Sequence, residues 1–111
     1  MKKYLVLYKA PIAEMDKMMQ NSTPEQMKAG MDEWVRWARK HPEIVDIGAP
    51  LGKNKRVRQS GASDERNDIG GYSFVEAESR EAAAKIFQDS PHFQLPGAYI
   101  EVMECVQMLG M

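Results

Sequence analysis

The stretch Gly70–Glu104, GGYSFVEAESREAAAKIFQDSPHFQLPGAYIEVME, decides the fold. It reads as strand, helix, loop, strand. From Tyr72 to Ala77 the residues alternate, with Tyr72, Phe74 and Glu76 on one face and Ser73, Val75 and Ala77 on the other. Aromatic and β-branched residues at period two mark a strand. Gly70-Gly71 lets the backbone enter that strand tightly, or lets another chain approach it closely. Ser79 is placed to cap a helix, and Glu81 suits the positive end of its dipole. Ala82, Ala83, Ile86 and Phe87 recur at helical spacing. Ser90 precedes Pro91 and is steered out of the α region, so the helix ends there. Residues 90–97 read as a proline-stiffened loop, and Ala98–Met108 as a last strand. In that strand Ile100, Val102 and Glu104 share one face; Tyr99, Glu101, Met103 and Cys105 share the other.

Working outward, Lys3–Tyr8 is an opening strand with Leu5 and Leu7 on one face and Tyr4, Val6 and Tyr8 on the other. Both faces are apolar, which predicts a central position. Ile12, Met15, Met18 and Met19 have helical spacing, so Ala13–Gln20 reads as a short helix, or as a Met-rich lid over a cleft. Thr23-Pro24-Glu25-Gln26 starts a long helix, with Thr23 as cap and Gln26 closing a capping box. Met27, Met31, Trp34, Val35 and Ala38 form its expected apolar face, with Trp37 at the margin. Gly30 inside this helix costs about 1 kcal/mol relative to alanine, which suggests close packing there. His41-Pro42 ends the helix. Ile44–Leu51 reads as a second strand, Gly52-Lys53-Asn54 as a turn, and Lys55–Gln59 as an exposed third strand. Residues 60–68 read as a polar loop.

With the exposed strand set aside as an excursion, two βαβ halves remain. The expected class is α+β: a ferredoxin-like βαββαβ fold with an antiparallel sheet, a single domain over residues 1–111. Helices cover one sheet face only. A second copy is the natural cover for the other, so the expectation is a homodimer joined through its sheet faces as a dimeric α+β barrel.

The pattern resembles the YCII-related, DGPF-type group of small dimeric α/β-barrel proteins. The resemblance rests on Lys3-Tyr4-Leu5-Val6-Leu7, Thr23-Pro24-Glu25-Gln26-Met27, Gly48-Ala49-Pro50-Leu51, Gly70–Ala77, Glu81-Ala82-Ala83, Ser90-Pro91-His92-Phe93, Pro96-Gly97 and Ile100-Glu101-Val102. It implies mostly a fold, since many members have no assigned function. Some carry a His/Asp pair proposed as an active site, the histidine lying early in the first long helix. Gln26 stands at that position here. The DGPF tetrapeptide would fall at Gln59-Ser60-Gly61-Ala62, where only Gly61 matches and Asp64 supplies a nearby carboxylate.

Composition excludes some classes. The net charge of −1 lacks the basic surplus of a nucleic-acid protein. The run Lys53–Arg58 is offset by Asp64, Glu65 and Asp68 and reads as a solvated hairpin or, alternatively, a phosphate site. No run is apolar enough to cross a bilayer. No basic-then-apolar leader opens the chain, and a lone cysteine suits a reducing compartment, so a cytoplasmic protein is expected. Cys105 reads as a small hydrophobe. There is no Cys/His cluster for a metal, no GxGxxG or phosphate loop and no serine elbow, so neither metal nor cofactor is expected.

His92 is the best candidate for chemistry, as an acid or base oriented by Asp89 three residues earlier, or else as a loop anchor. His41 suits a helix C-terminus. Tyr8, Tyr72, Asp64 and Glu101 are candidate ligand contacts; Tyr99 offers a further aromatic wall, and Asp68 reads as a solvated loop carboxylate. Three functions stay open: a small-molecule-binding dimer, an enzyme on a small organic substrate using His92, and an interaction module built on the Met-rich segment and Trp37.

Overall fold

A computed structural model describes residues 1–108. The chain is α+β. Strand β1 (Lys2–Lys9) leads into α1 (Ile12–Asn21) and α2 (Pro24–Arg39). Then come β2 (Ile44–Pro50), β3 (Asn54–Arg58), β4 (Gly61–Glu65), β5 (Ile69–Ala77), α3 (Arg80–Ile86), a 3-10 turn (Pro91–Gln94) and β6 (Tyr99–Glu104). The main sheet has the order β2-β5-β1-β6, with every neighbouring pair antiparallel. Strands β3 and β4 form a separate two-stranded sheet.

The alternation in β1 sorts its side chains as expected. Tyr4, Val6 and Tyr8 are buried on the helix-covered face, beside Val75 and Ala77 of β5. Trp34 and Trp37 of α2 and Ala83 and Phe87 at α3 close over them. The Tyr8 ring meets Trp34 edge-on at 4.6 Å and Phe87 at 6.2 Å. Leu5 and Leu7 point the other way. Across the strands Leu5 is flanked by Phe74 and Met103, and Leu7 by Tyr72 and Glu101. Leu5, Leu7, Tyr72 and Phe74 are half-buried and lie outside the buried core.

The capping signals are realised. Thr23 Oγ1 accepts from the Gln26 amide at 3.1 Å, and the Thr23 amide donates to Gln26 Oε1 at 2.8 Å. Ser79 Oγ accepts from the Ala82 amide at 3.1 Å. The Met-rich segment is a helix, tied down by Arg66 Nη2 on Asp16 Oδ1 at 2.6 Å, with Met15 against Gly70.

Several expectations are corrected. Residues 60–68 are not simply a loop, because β4 pairs with β3, so the exposed strand turns back at Gln59-Ser60 rather than pairing with β2. Exposed ion pairs lie across that ladder: Lys55–Asp64 at 2.6 Å, Arg56–Glu65 at 3.1 Å and Arg58–Glu65 at 3.7 Å. The last strand stops at Glu104, short of Met108, with the Cys105 amide donating one further bond to the Lys3 carbonyl at 2.9 Å. Cys105 is exposed rather than buried. On α2, Met27 and Met31 are exposed while Trp37 is buried, so only the C-terminal half of the helix reaches the core. Gly30 has nothing near the position a Cβ would take, and close packing is not its reason.

Gly48 is a different case. Its φ is +74°, and a Cβ would run into the Tyr72 carbonyl. Gly48→Ala therefore destabilises the fold sharply, whereas Gly30→Ala stabilises it by about 1 kcal/mol. Urea denaturation of both variants checks the contrast; equal effects would contradict it.

Candidate functional site

The candidate site is a polar cluster at one end of the open sheet face. Its centre is Lys9, which follows Leu5 and Leu7 at period two and so shares their face. Its side chain is only 18% exposed. Lys9 Nζ donates to Glu101 Oε1 at 2.6 Å and lies 3.6 Å from Asp68 Oδ1. The Tyr99 hydroxyl donates to Asp68 Oδ2 at 2.7 Å, and Lys9 Nζ sits 5.5 Å from the centre of the Tyr99 ring. Three elements converge here: β1 brings Lys9, β6 brings Tyr99 and Glu101, and the turn into β5 brings Asp68. A bond from the Ala10 amide to the Asp68 carbonyl at 3.0 Å fixes that turn.

The electrostatics follow from the contacts. The Glu101 hydrogen bond, aided by Asp68, holds the Lys9 ammonium well above the usual lysine range, so it is a fixed cation and not a nucleophilic amine. Asp68 is held below the ordinary carboxylate range, first by the Tyr99 hydroxyl and then by Lys9. Tyr99 is raised, chiefly because its proton is committed to Asp68. The cluster thus presents one ammonium, two carboxylates and one phenol beside the apolar rows of Leu7, Tyr72, Leu5 and Phe74. Tyr72 meets Phe74 edge-on at 6.0 Å, and Lys3 Nζ lies over the Phe74 ring at 4.6 Å.

The expected site residues are not brought together as one group. Tyr72 and Glu101 flank Leu7 on the open face. Tyr8 is on the opposite face, where its hydroxyl donates to Ser73 Oγ at 2.8 Å and Ser73 in turn donates to the Ile47 carbonyl at 2.6 Å. Burial pushes the Tyr8 phenol up to about 12, although the Ser73 contact opposes the rise. Asp64 belongs to the β3–β4 hairpin, bonded to Lys55.

His92 and Asp89 do not pair. His92 Nε2 is 2.8 Å from the Lys9 carbonyl, which can only accept, so this nitrogen carries a proton and donates. The Ser90 hydroxyl accepts from the His92 amide at 3.2 Å, and the ring lies 5.5 Å from Tyr8. This anchors the 91–94 turn to the end of β1, directly behind Lys9. Asp89 accepts instead from Trp37 Nε1 at 3.0 Å, which lowers its carboxyl, and stands 3.8 Å from His41. It borders an open groove of about 510 Å³ between α2 and the 91–94 turn, lined also by Arg36, Lys40 and Phe93. His92 is not among the residues lining that groove.

Sequence reasoning missed Lys9 and read Asp68 as solvated. The available signal was the position of Lys9, in phase with Leu5 and Leu7 on an otherwise apolar face.

No family model matches the chain, and no curated protein matches it in sequence. Among solved structures, a 5-chloro-2-hydroxyhydroquinone dehydrochlorinase from Burkholderia phenoliruptrix AC1100, in complex with 2,5-dihydroxybenzoquinone, is similar at a TM-score of 0.46. Identity is 16%, over 89% of this chain and 90% of that one. The likeness is too distant to carry a residue's role across.

Asp68→Asn replaces the carboxylate that keeps Tyr99 protonated with a neutral amide. The Tyr99 titration then falls toward the ordinary tyrosine range, near pH 10, as followed by NMR of ring-labelled tyrosine. A Tyr99 titration unchanged by the substitution would contradict the cluster.

Proposed function

We propose that this chain is a small-molecule-binding protein that works as a homodimer. It would be one YCII-related, ferredoxin-like domain over residues 1–111 whose open sheet face packs against that of a second copy. The strand order β2-β5-β1-β6 with α2 and α3 on one face supports the ferredoxin-like reading. One observation carries the site: a lysine that is mostly buried before any partner is added, at the edge of an uncovered apolar face. Buried charges need partners, and here Asp68, Glu101 and Tyr99 supply them in a rim around Leu7 and Tyr72.

Such a rim suits a small ring-bearing molecule with hydroxyl groups. Its hydroxyls would donate to Asp68 and Glu101, its oxygens would accept from Lys9, and its ring would lie beside Tyr99 at the end of the face. The carboxylates outnumber the ammonium, so anions are not attracted. A general acid–base role for His92 finds less support, because Nε2 is committed to the Lys9 carbonyl. His92 acts instead as a positioning residue for β1.

The surface area supports a partner. The chain exposes 8027 Å², about 1,800 Å² more than the roughly 6,200 Å² expected of a monomer this size. Its radius of gyration is 15.6 Å, against about 13 Å for a compact domain of this length. It is a plate, 20 Å in its thinnest dimension.

The test has two parts. Sedimentation equilibrium should give twice the 12.6 kDa chain mass, and Leu5→Glu should give the monomer while keeping the helix-face core. Catechol, used as a probe in an NMR titration, should perturb the amides of Lys9, Tyr72, Tyr99 and Glu101, with benzoate as the weaker control. A monomeric wild type contradicts the dimer, and catechol shifts confined to other residues, or none, contradict the site.

A further inference from the structure

We propose that α1 is a wall of the Lys9 site, and that Met15 on it decides how large a ring the site admits. The inference rests on the small-molecule reading of that site and adds to it the element that bounds the ligand.

The placement follows from the pleat. Side chains two apart on a strand share a face and stand roughly 6.7 Å from one another. Along β5 the buried positions are Gly71, Ser73, Val75 and Ala77, so Gly70 is in phase with Tyr72 and Phe74 on the open face. A Cβ on Gly71 would meet the Tyr8 ring at 3.6 Å, on the helix-covered face. A Cβ on Gly70 would instead come within 3.0 Å of the Met15 sulfur. Met15 therefore reaches the rim of the open face at Gly70. That station is two residues from Tyr72 and two from Asp68, whose carboxylate faces Lys9 and Tyr99. A glycine in a strand marks close approach of another group, and here the group is a thioether.

Further contacts hold α1 at this point. The helix grows out of the end of β1: the Pro11 carbonyl, two residues past Lys9, accepts from the amides of Glu14 at 3.0 Å and Met15 at 3.1 Å. In the middle of the helix, Asp16 takes the Arg66 guanidinium through both oxygens, at 2.6 and 3.4 Å. Both side chains are well exposed, so the pair adds little stability; a two-point pair fixes orientation. Arg66 is two residues before Asp68 and Gly70 two after it. The segment that carries Asp68 thus meets α1 on both sides of that carboxylate.

Core filling does not account for the helix. None of its residues is buried. Met15 is half-buried at Gly70, while Met18 and Met19 are exposed.

The chemistry of the wall suits the ligand. A thioether packs favourably at an aromatic edge, and its unbranched stem adapts to the group it meets. A ring whose hydroxyl donates to Asp68 would have the Tyr99 phenol on the β6 side and Met15 on the α1 side. The class admitted is then a small dihydroxylated ring without a bulky substituent.

The full-length wild type and M15A are titrated by NMR with catechol and with tert-butylcatechol, and the affinities are read from the Lys9 and Tyr99 amides. In the wild type, catechol also shifts the Met15 methyl. M15A weakens catechol and favours the larger ring, moving the ratio of the two affinities by about tenfold or more. Catechol that moves Lys9 and Tyr99 with a ratio unchanged in M15A overturns the wall while the site stands. No shift at Lys9 and Tyr99 overturns both. If M15A fails to fold, the wild type decides: NOEs from the catechol ring protons to the Met15 methyl support the wall, and NOEs to the Tyr99 ring without any to Met15 overturn it.

Discussion

Strand β1 is apolar on both faces, yet the chain builds helices for only one of them. The rest of the structure answers to that asymmetry. On the covered side, Tyr4, Val6 and Tyr8 nucleate a core with Trp34, Trp37, Ala83 and Phe87. The relay from the Tyr8 hydroxyl through Ser73 to the Ile47 carbonyl lets buried polar groups remain in that core without unpaired atoms. On the other side, Leu5 and Leu7 sit half-buried in rows with Phe74, Met103 and Tyr72, outside that core.

The polar cluster sits where the two sides meet. The Lys9 side chain faces outward to Glu101 and Asp68, while its carbonyl faces inward to His92. One residue thus links the open-face charges to the turn after α3. Both imidazoles are engaged within the fold: His92 bonds the Lys9 carbonyl, and His41 packs against Trp37 at 4.8 Å beside Asp89.

Much of the fold was legible because its signals are local. Alternation sorted the faces of β1 and β5 correctly, and Thr23 and Ser79 marked helix starts by chemistry that acts within a few residues, whereas α3 stops at Ile86, short of Pro91. What stayed hidden depended on partners distant in sequence. Strand β4 has no apolar alternation to announce it; its charges find partners on β3 only once the hairpin closes. Asp89 and His92 are neighbours in sequence, but the indole of Trp37 took the carboxylate and a backbone carbonyl took the imidazole. Lys9 ended an apolar strand and gave no hint of Asp68 or Tyr99, which reach it through the register of β6 and the turn into β5.

The central claim is that two open sheet faces cover one another. The most direct test is an isotope-filtered NOE experiment on a sample mixed from labelled and unlabelled chains. Contacts between the Leu5 and Leu7 methyls of one copy and the Phe74, Tyr72 or Met103 side chains of the other are predicted. Filtered spectra without such contacts, together with strong broadening of the same methyls by a soluble paramagnetic probe, would show the face bare and contradict the account.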